Sequence, residues 1–243
     1  MLRSGPGPGL NVPLPSLTLL PAKPHEIGGT TERSDRACVF RSHLVRPLIA
    51  MAFFRSVSLS DLLPEISGQG VVLRSPQMSD CTEWAALRER SRSFLTPWEP
   101  TWPVDDLTRA SFRRRVRRYC EDQRGDLAYA FFIFRKQDNA LVGGLTLANI
   151  RRGCAQAGSL GYWMGAPYAH QGYMTAAVNA VVPFAFGSLK LHRIEAACIP
   201  DNIASIRLLE KTGFKREGFA HQYLCINGLW QDHLLFAKLE SDP

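Results

Sequence analysis

The polar residues best placed to do chemistry concentrate between Gly161 and Phe214. A strand-like run, Leu160 to Met164, leads into the turn His170-Gln171-Gly172, and an apolar helix follows from Tyr173. Free backbone N–H groups converge at such a junction with the positive end of the helix dipole, which makes it an anion site. A second strand-like run, Arg193 to Cys198, reaches a Pro200-Asp201-Asn202 corner and a short amphipathic helix closed by Gly213-Phe214. Asn202 stands where a helix N-cap belongs. Ser205 falls in the first turn, a favourable place for a serine in itself and one that offers a hydroxyl. Glu195 faces the same side of its strand as Ala197, and is a base acting through water or one half of an ion pair with a nearby arginine. Asp232 and His233 are adjacent on a strand and point to opposite faces, so they form no simple dyad.

These residues need a sheet and helices to hold them. Gly70 to Arg74 reads as a strand ended by Pro76, and Asp80 with Glu83 as a capping box before a helix carrying Trp84 and Leu87. Thr96 to Pro103 is a Pro-punctuated loop. A helix over Asp106 to Glu121 puts Phe112, Val116 and Tyr119 on one face and Arg109, Arg113, Arg114, Arg115, Arg117 and Arg118 on the other. Strands follow at Ala128 to Phe134, Leu141 to Ile150 and Ala157 to Met164, with turns short enough for hairpins. Pro183 should kink or split the helix that starts at Tyr173. Tyr223 to Ile226, Asn227-Gly228 and Leu229 to Leu239 form a type I′ hairpin. Antiparallel strands first, then helix, strand, helix and hairpin, predict an α+β fold rather than a doubly wound sheet.

The chain of 243 residues suits one domain with an extension. Its formal charge of +7 favours anionic partners such as a nucleotide cofactor or RNA, or serves solubility alone. The six cysteines show no metal-like spacing and read as reduced thiols of a cytoplasmic protein. No metal is implied, and the apolar run Pro47 to Phe54 is too short to cross a membrane. Residues 1–50 hold seven of the sixteen prolines and no periodicity, so disorder is expected there. Arg33, Arg36, Arg41 and Arg46 fit a targeting peptide; alternatively, translation starts at Met51. The expected organisation is an extension at 1–50, a lead-in segment at 51–69 and one folded domain at 70–240.

From Val71 to Leu239 the chain resembles the RimJ/RimL branch of the GNAT (Gcn5-related N-acetyltransferase) superfamily, the ribosomal-protein N-terminal acetyltransferases. The resemblance is carried by GYWMG (161–165), QGYMT (171–175), HRIEA (192–196), PDNIAS (200–205), LLEKTGF (208–214), EGF (217–219) and YLCINGLWQDH (223–233). It implies a mixed, mostly antiparallel sheet flanked by helices and splayed between its two central strands. The family turn for the pyrophosphate, (Gln or Arg)-x-x-Gly-x-(Gly or Ala), reads here Ala169-His170-Gln171-Gly172-Tyr173-Met174. His170 replaces a common glycine, which is costly wherever φ must be positive.

The resemblance implies acetyl-CoA as co-substrate. Its pyrophosphate would be held at His170, Gln171, Gly172, Tyr173, Met174 and Thr175, and its pantetheine arm by the backbone at Trp163 and Met164 and by Asn202. Ser205 matches a serine that some relatives place near the CoA sulfur. The helical tyrosine used elsewhere in the superfamily is Leu209 here, and the glutamate of RimL-like enzymes is Leu224, which leaves Glu195 as the candidate base. Trp98, Glu99, Tyr223 and Trp230 line the expected acceptor groove, with Glu99 available to an α-ammonium group. An α-amine of pKa about 8 needs roughly 1 kcal/mol to be neutral at pH 7, whereas a lysine near about 10.4 needs roughly 4–5 kcal/mol. A weak base therefore suits a protein N-terminus, and the resemblance implies a ribosomal protein, with N-terminal alanine, as acceptor. The arginine helix is a solvated face or a contact to ribosomal RNA. An acetyltransferase for a small amine or antibiotic, and a non-catalytic CoA-binding or ribosome-associated protein, are the alternatives.

Overall fold

The computed structural model describes residues 65–243. The expectations for 1–50, and for most of the lead-in, lie outside those residues. One eight-stranded sheet organises the rest, in the order β1-β2-β3-β4-β5-β6-β8-β7. The strands are β1 (Ile66–Ser67), β2 (Val71–Arg74), β3 (Tyr129–Arg135), β4 (Leu141–Arg151), β5 (Ala157–Met164), β6 (Arg193–Cys198), β7 (Lys215–Ile226) and β8 (Leu229–Leu239). Every neighbouring pair is antiparallel except β5 and β6. Those two pair only over Ala157–Ser159 and Arg193–Glu195. Beyond Ser159 they part, and the sheet opens into a V.

Helices cover both faces, which explains the uninterrupted apolar run of β3. Phe131 and Ile133 enter one core with α4 (Tyr173–Pro183) and α5 (Ile203–Lys211). Phe132 and Phe134 enter a second core, with Trp84 and Leu87 of α1 (Cys81–Arg90) and Phe112 of α3 (Arg109–Arg124). A strand buried on both faces has no polar side to alternate with. The short helix α2 (Arg92–Leu95) and the turn Thr96–Trp98 lead into the loop before α3.

Local details depart from expectation for identifiable reasons. The Asp80–Glu83 capping box does not form. Asp80 instead takes Arg74 through both oxygens at 2.9 and 2.7 Å, and Glu83 accepts from Leu141 N–H at 2.7 Å. α3 starts three residues late because Thr108 caps it, accepting from Ser111 N–H at 3.2 Å. Asp106 is buried against Arg115 at 2.6 Å. After Pro183 the helix splits, as expected, and the chain continues as a wide π-type turn with Leu189 N–H donating to Phe184 O at 3.0 Å. Asn227 and Gly228 take φ of 47° and 80°, the type I′ pair expected. β7 begins at Lys215 rather than Tyr223. Its outer half is polar and exposed at the sheet edge, so no apolar alternation announces it.

Candidate active site

The turn before α4 is held open by backbone conformation. Gly172 has φ 83° and ψ −5° at the N-cap. A Cβ there would meet nothing within 4 Å, so φ and not space demands glycine. His170 is also left-handed, at φ 59°, so this turn does require the positive φ at which histidine is unfavourable. No side chain caps α4, which leaves the first N–H groups of Tyr173, Met174 and Thr175 directed out of the helix. The Met174 side chain is buried in the core, so only its backbone can serve a ligand. Gln171 is exposed, with Nε2 donating to Pro167 O at 2.9 Å. The Arg135 guanidinium, from β3, lies over Tyr168 at 5.3 Å and beside Tyr173, and its bond to Asp138 with that contact holds its pKa above the usual arginine value. Asp138 grips the same guanidinium through both oxygens at 2.8 and 2.6 Å, so the pair reaches the turn without a net charge.

The V between β5 and β6 offers unpaired backbone. Gly165 N–H donates to Val142 O at 2.8 Å, and Met164 stands opposite Gly143. In an antiparallel ladder the direction alternates, so Tyr162 and Met164 turn their own N–H and C=O groups into the opening, while Trp163 directs its own to β4. The Trp163 ring lies against Gly144, where a Cβ would come within 2.4 Å of its Nε1, and beside Arg88 at 5.0 Å.

At the far end of the V, on the α4–α5 side, three side chains meet. Asn202 Oδ1 accepts from Ser205 N–H at 3.1 Å, the capping bond expected. Its Nδ2 group bonds to none of the described residues. Ser205 is buried, and its Oγ lies 2.6 Å from Tyr162 Oη. Burial pushes the Tyr162 phenol well above its ordinary value, against the lowering effect of Ser205. Burial also pushes the Cys198 thiol up, with the Ser205 hydroxyl opposing. The Tyr162 phenol and the Cys198 thiol are therefore both neutral at pH 7. Sequence reasoning missed Tyr162: its partner is 43 residues away, and only the strand's parity could have put it on this face.

The opposite face holds the remaining candidates. Glu195 sits at the closed end of the V, opposite Ser159, and bonds to Arg151 at 2.5 Å and Arg193 at 3.0 Å. Of its two readings the ion pair is the one formed. The Glu99 carboxylate is gripped by Arg88 at 2.7 Å through both oxygens, and Trp102 Nε1–H donates to it at 2.7 Å. It is thereby neutralised rather than open to an ammonium group. Asn227 N–H donates to Glu99 O at 2.9 Å, docking the β7–β8 hairpin on the loop that carries Trp98. Trp98, Tyr223 and Trp230 all remain exposed around this junction. Leu209, where other relatives carry tyrosine, is fully buried in the core.

An open V, a left-handed turn at an uncapped helix and a buried hydroxyl pair fit a ligand with an anionic end and a thioester end. The Acetyltransferase (GNAT) domain family matches residues 71–215. The chain is 37% identical over 177 residues to "Probable N-acetyltransferase YjcK" of Bacillus subtilis, covering 73% of this chain and 98% of that one. Among solved structures, the ribosomal-protein-S5-alanine acetyltransferase of Vibrio fischeri is 34% identical, with a TM-score of 0.69 over 74% of this chain and 98% of that one. Mycobacterium smegmatis RimJ, solved in complex with CoA-disulfide, is 30% identical, with a TM-score of 0.68 over 73% and 86%. The chain belongs to the GNAT family, as an acetyl-CoA-dependent N-acetyltransferase.

Proposed function

We propose that this chain acetylates the α-amine of a protein N-terminus, and that the acceptor is a ribosomal protein beginning with alanine. The observation that carries this reading is the state of the acceptor-side carboxylates: Glu99 and Glu195 are both held by arginines. Without a free carboxylate, an amine that needs only roughly 1 kcal/mol to lose its proton is a far better acceptor than lysine. Similarity to an enzyme named for ribosomal-protein-S5 alanine supports the acceptor class, and a ribosomal acceptor would put the reaction in the cytoplasm.

In this reading the N–H groups from Gln171 to Thr175 hold the pyrophosphate. Asn202 Nδ2 and the Met164 backbone hold the pantetheine arm. The amine attacks the thioester directly in a ternary complex, and the C–S bond breaks toward Ser205. A phenol even at its ordinary pKa would lie roughly 2 kcal/mol uphill of a thiolate near about 8.5. Tyr162 therefore keeps its proton, and the Tyr162–Ser205 pair stabilises the leaving thiolate by hydrogen bonding. Trp98, Tyr223 and Trp230 wall the acceptor groove. Incubating unacetylated ribosomal proteins with the enzyme and acetyl-CoA tests the proposal. Peptide mass spectrometry should locate the new acetyl group on an α-amine; modification confined to lysine side chains would refute it.

A further inference from the structure

Resting on the acyl-transfer reading above, we propose that His233 is the base that takes the proton from the attacking amine. The register places it. Ala197 pairs with Leu235 and Cys198 with Leu234, so His233, two residues before Leu235, shares the sheet face of Ala197 and Leu235. That is the face of the acceptor groove, opposite the face of Cys198, Ser205 and Tyr162. The leaving thiolate and the incoming amine thus have separate partners on the two sides of the V.

The ring is set up for the task. His233 Nδ1 lies 2.9 Å from Gln231 O. A carbonyl only accepts, so Nδ1 carries the hydrogen and the neutral ring keeps its lone pair on Nε2. Nε2 bonds to none of the described residues, and the residue is 3% exposed. The Tyr223 ring, a wall of the groove, packs edge-on at 5.7 Å. Burial lowers the imidazole pKa from its ordinary value, and the Gln231 carbonyl and Asp232 oppose that shift.

Asp232 is the charged group whose field reaches the ring. β7 faces the histidine with Ala220 and Tyr223, and β6 brings Ala197. Asp232, its neighbour on β8, points away and is engaged by Gln222 N–H at 2.8 Å and His221 at 3.5 Å. As the C–N bond forms, the amine proton passes to Nε2, the C–S electron pair leaves with the thiolate, and the imidazolium returns its proton to water.

His233→Asn tests the assignment, because the asparagine amide can still donate to Gln231 O while the Nε2 lone pair is lost. A general base contributes about 10²–10⁴-fold. The expected result is a kcat at least about 100-fold lower, an unchanged KM for acetyl-CoA, and loss of the acidic limb of the kcat–pH profile. A variant within about threefold of the parent kcat that keeps that limb would overturn the inference while leaving the proposed function standing. Should the variant not fold, the parent enzyme decides with a hydrazide acceptor, whose nitrogen is unprotonated across the range. A limb below the ordinary histidine pKa is expected, and a flat profile overturns the inference. Absence of turnover by the parent with every peptide would remove the reading beneath it, and the inference with it.

Discussion

Ser205 and Asn202 act together because one turn of helix holds them: the Asn202 cap fixes the Ser205 amide, and Ser205 then aims its hydroxyl at Tyr162. Hydrogen bonds to a charged group are worth about 1.5–3 kcal/mol. Ser205→Ala should therefore lower kcat by about 10- to 150-fold, with acetyl-CoA affinity little changed. Tyr162→Phe acts through Ser205 and should cost less, and the double variant should resemble Ser205→Ala alone, since the two hydroxyls form one unit. Steady-state kinetics of the three variants checks this; additive losses would show that the two hydroxyls do not act as one unit. At this scale the sequence was partly legible. Asn202 and Ser205 follow from cap spacing, which is local. Tyr162, the Arg88 grip on Glu99 and the arginines around Glu195 depend on residues brought together from separate elements, which spacing does not reveal.

In the proposed reading the turn 169–172 holds the pyrophosphate through its backbone, so its conformation is the quantity to perturb. Ala at a left-handed position costs about 1–2 kcal/mol, and Gly172→Ala should raise the acetyl-CoA dissociation constant about 5- to 30-fold if the turn relaxes away from the anion-binding shape. His170→Gly relieves a similar strain but adds freedom to the unfolded chain, so the two effects nearly offset. Calorimetric titration with acetyl-CoA and a thermal melt of each variant separate binding from stability. Elements with apolar periodicity were the legible ones, β3, β4 and β5 among them. The polar half of β7 was not, because an edge strand facing solvent has no alternation to read. The Asp80–Glu83 box failed because both carboxylates found stronger partners outside the helix, an arginine and a strand N–H.

Across the whole molecule, the proposed mechanism divides two chemistries between the faces of the V between β5 and β6, with thiolate stabilisation on the α4–α5 side and proton removal on the other. How far the V opens depends on pairing that stops after Ser159, which no local pattern encodes. The arginine face of α3 is smaller than its sequence suggests. Arg114 pairs with Asp105 and Arg115 with Asp106, which leaves Arg109, Arg113 and Arg117 exposed. If this stripe meets ribosomal RNA, reversing those three charges should weaken co-sedimentation with ribosomes and flatten its salt dependence while turnover on a short peptide persists; unchanged co-sedimentation would assign the stripe to solvation. Among the described residues no helix is long and apolar enough to cross a membrane.

The most direct test of the account is CoA-thiol release from acetyl-CoA with two peptides, one with a free N-terminal alanine and no lysine, the other N-blocked with a free lysine. The arrangement of bound carboxylates and a neutral imidazole predicts turnover with the first and not the second. Turnover with the blocked, lysine-bearing peptide alone would contradict it, because that reaction needs a stronger base than this site holds.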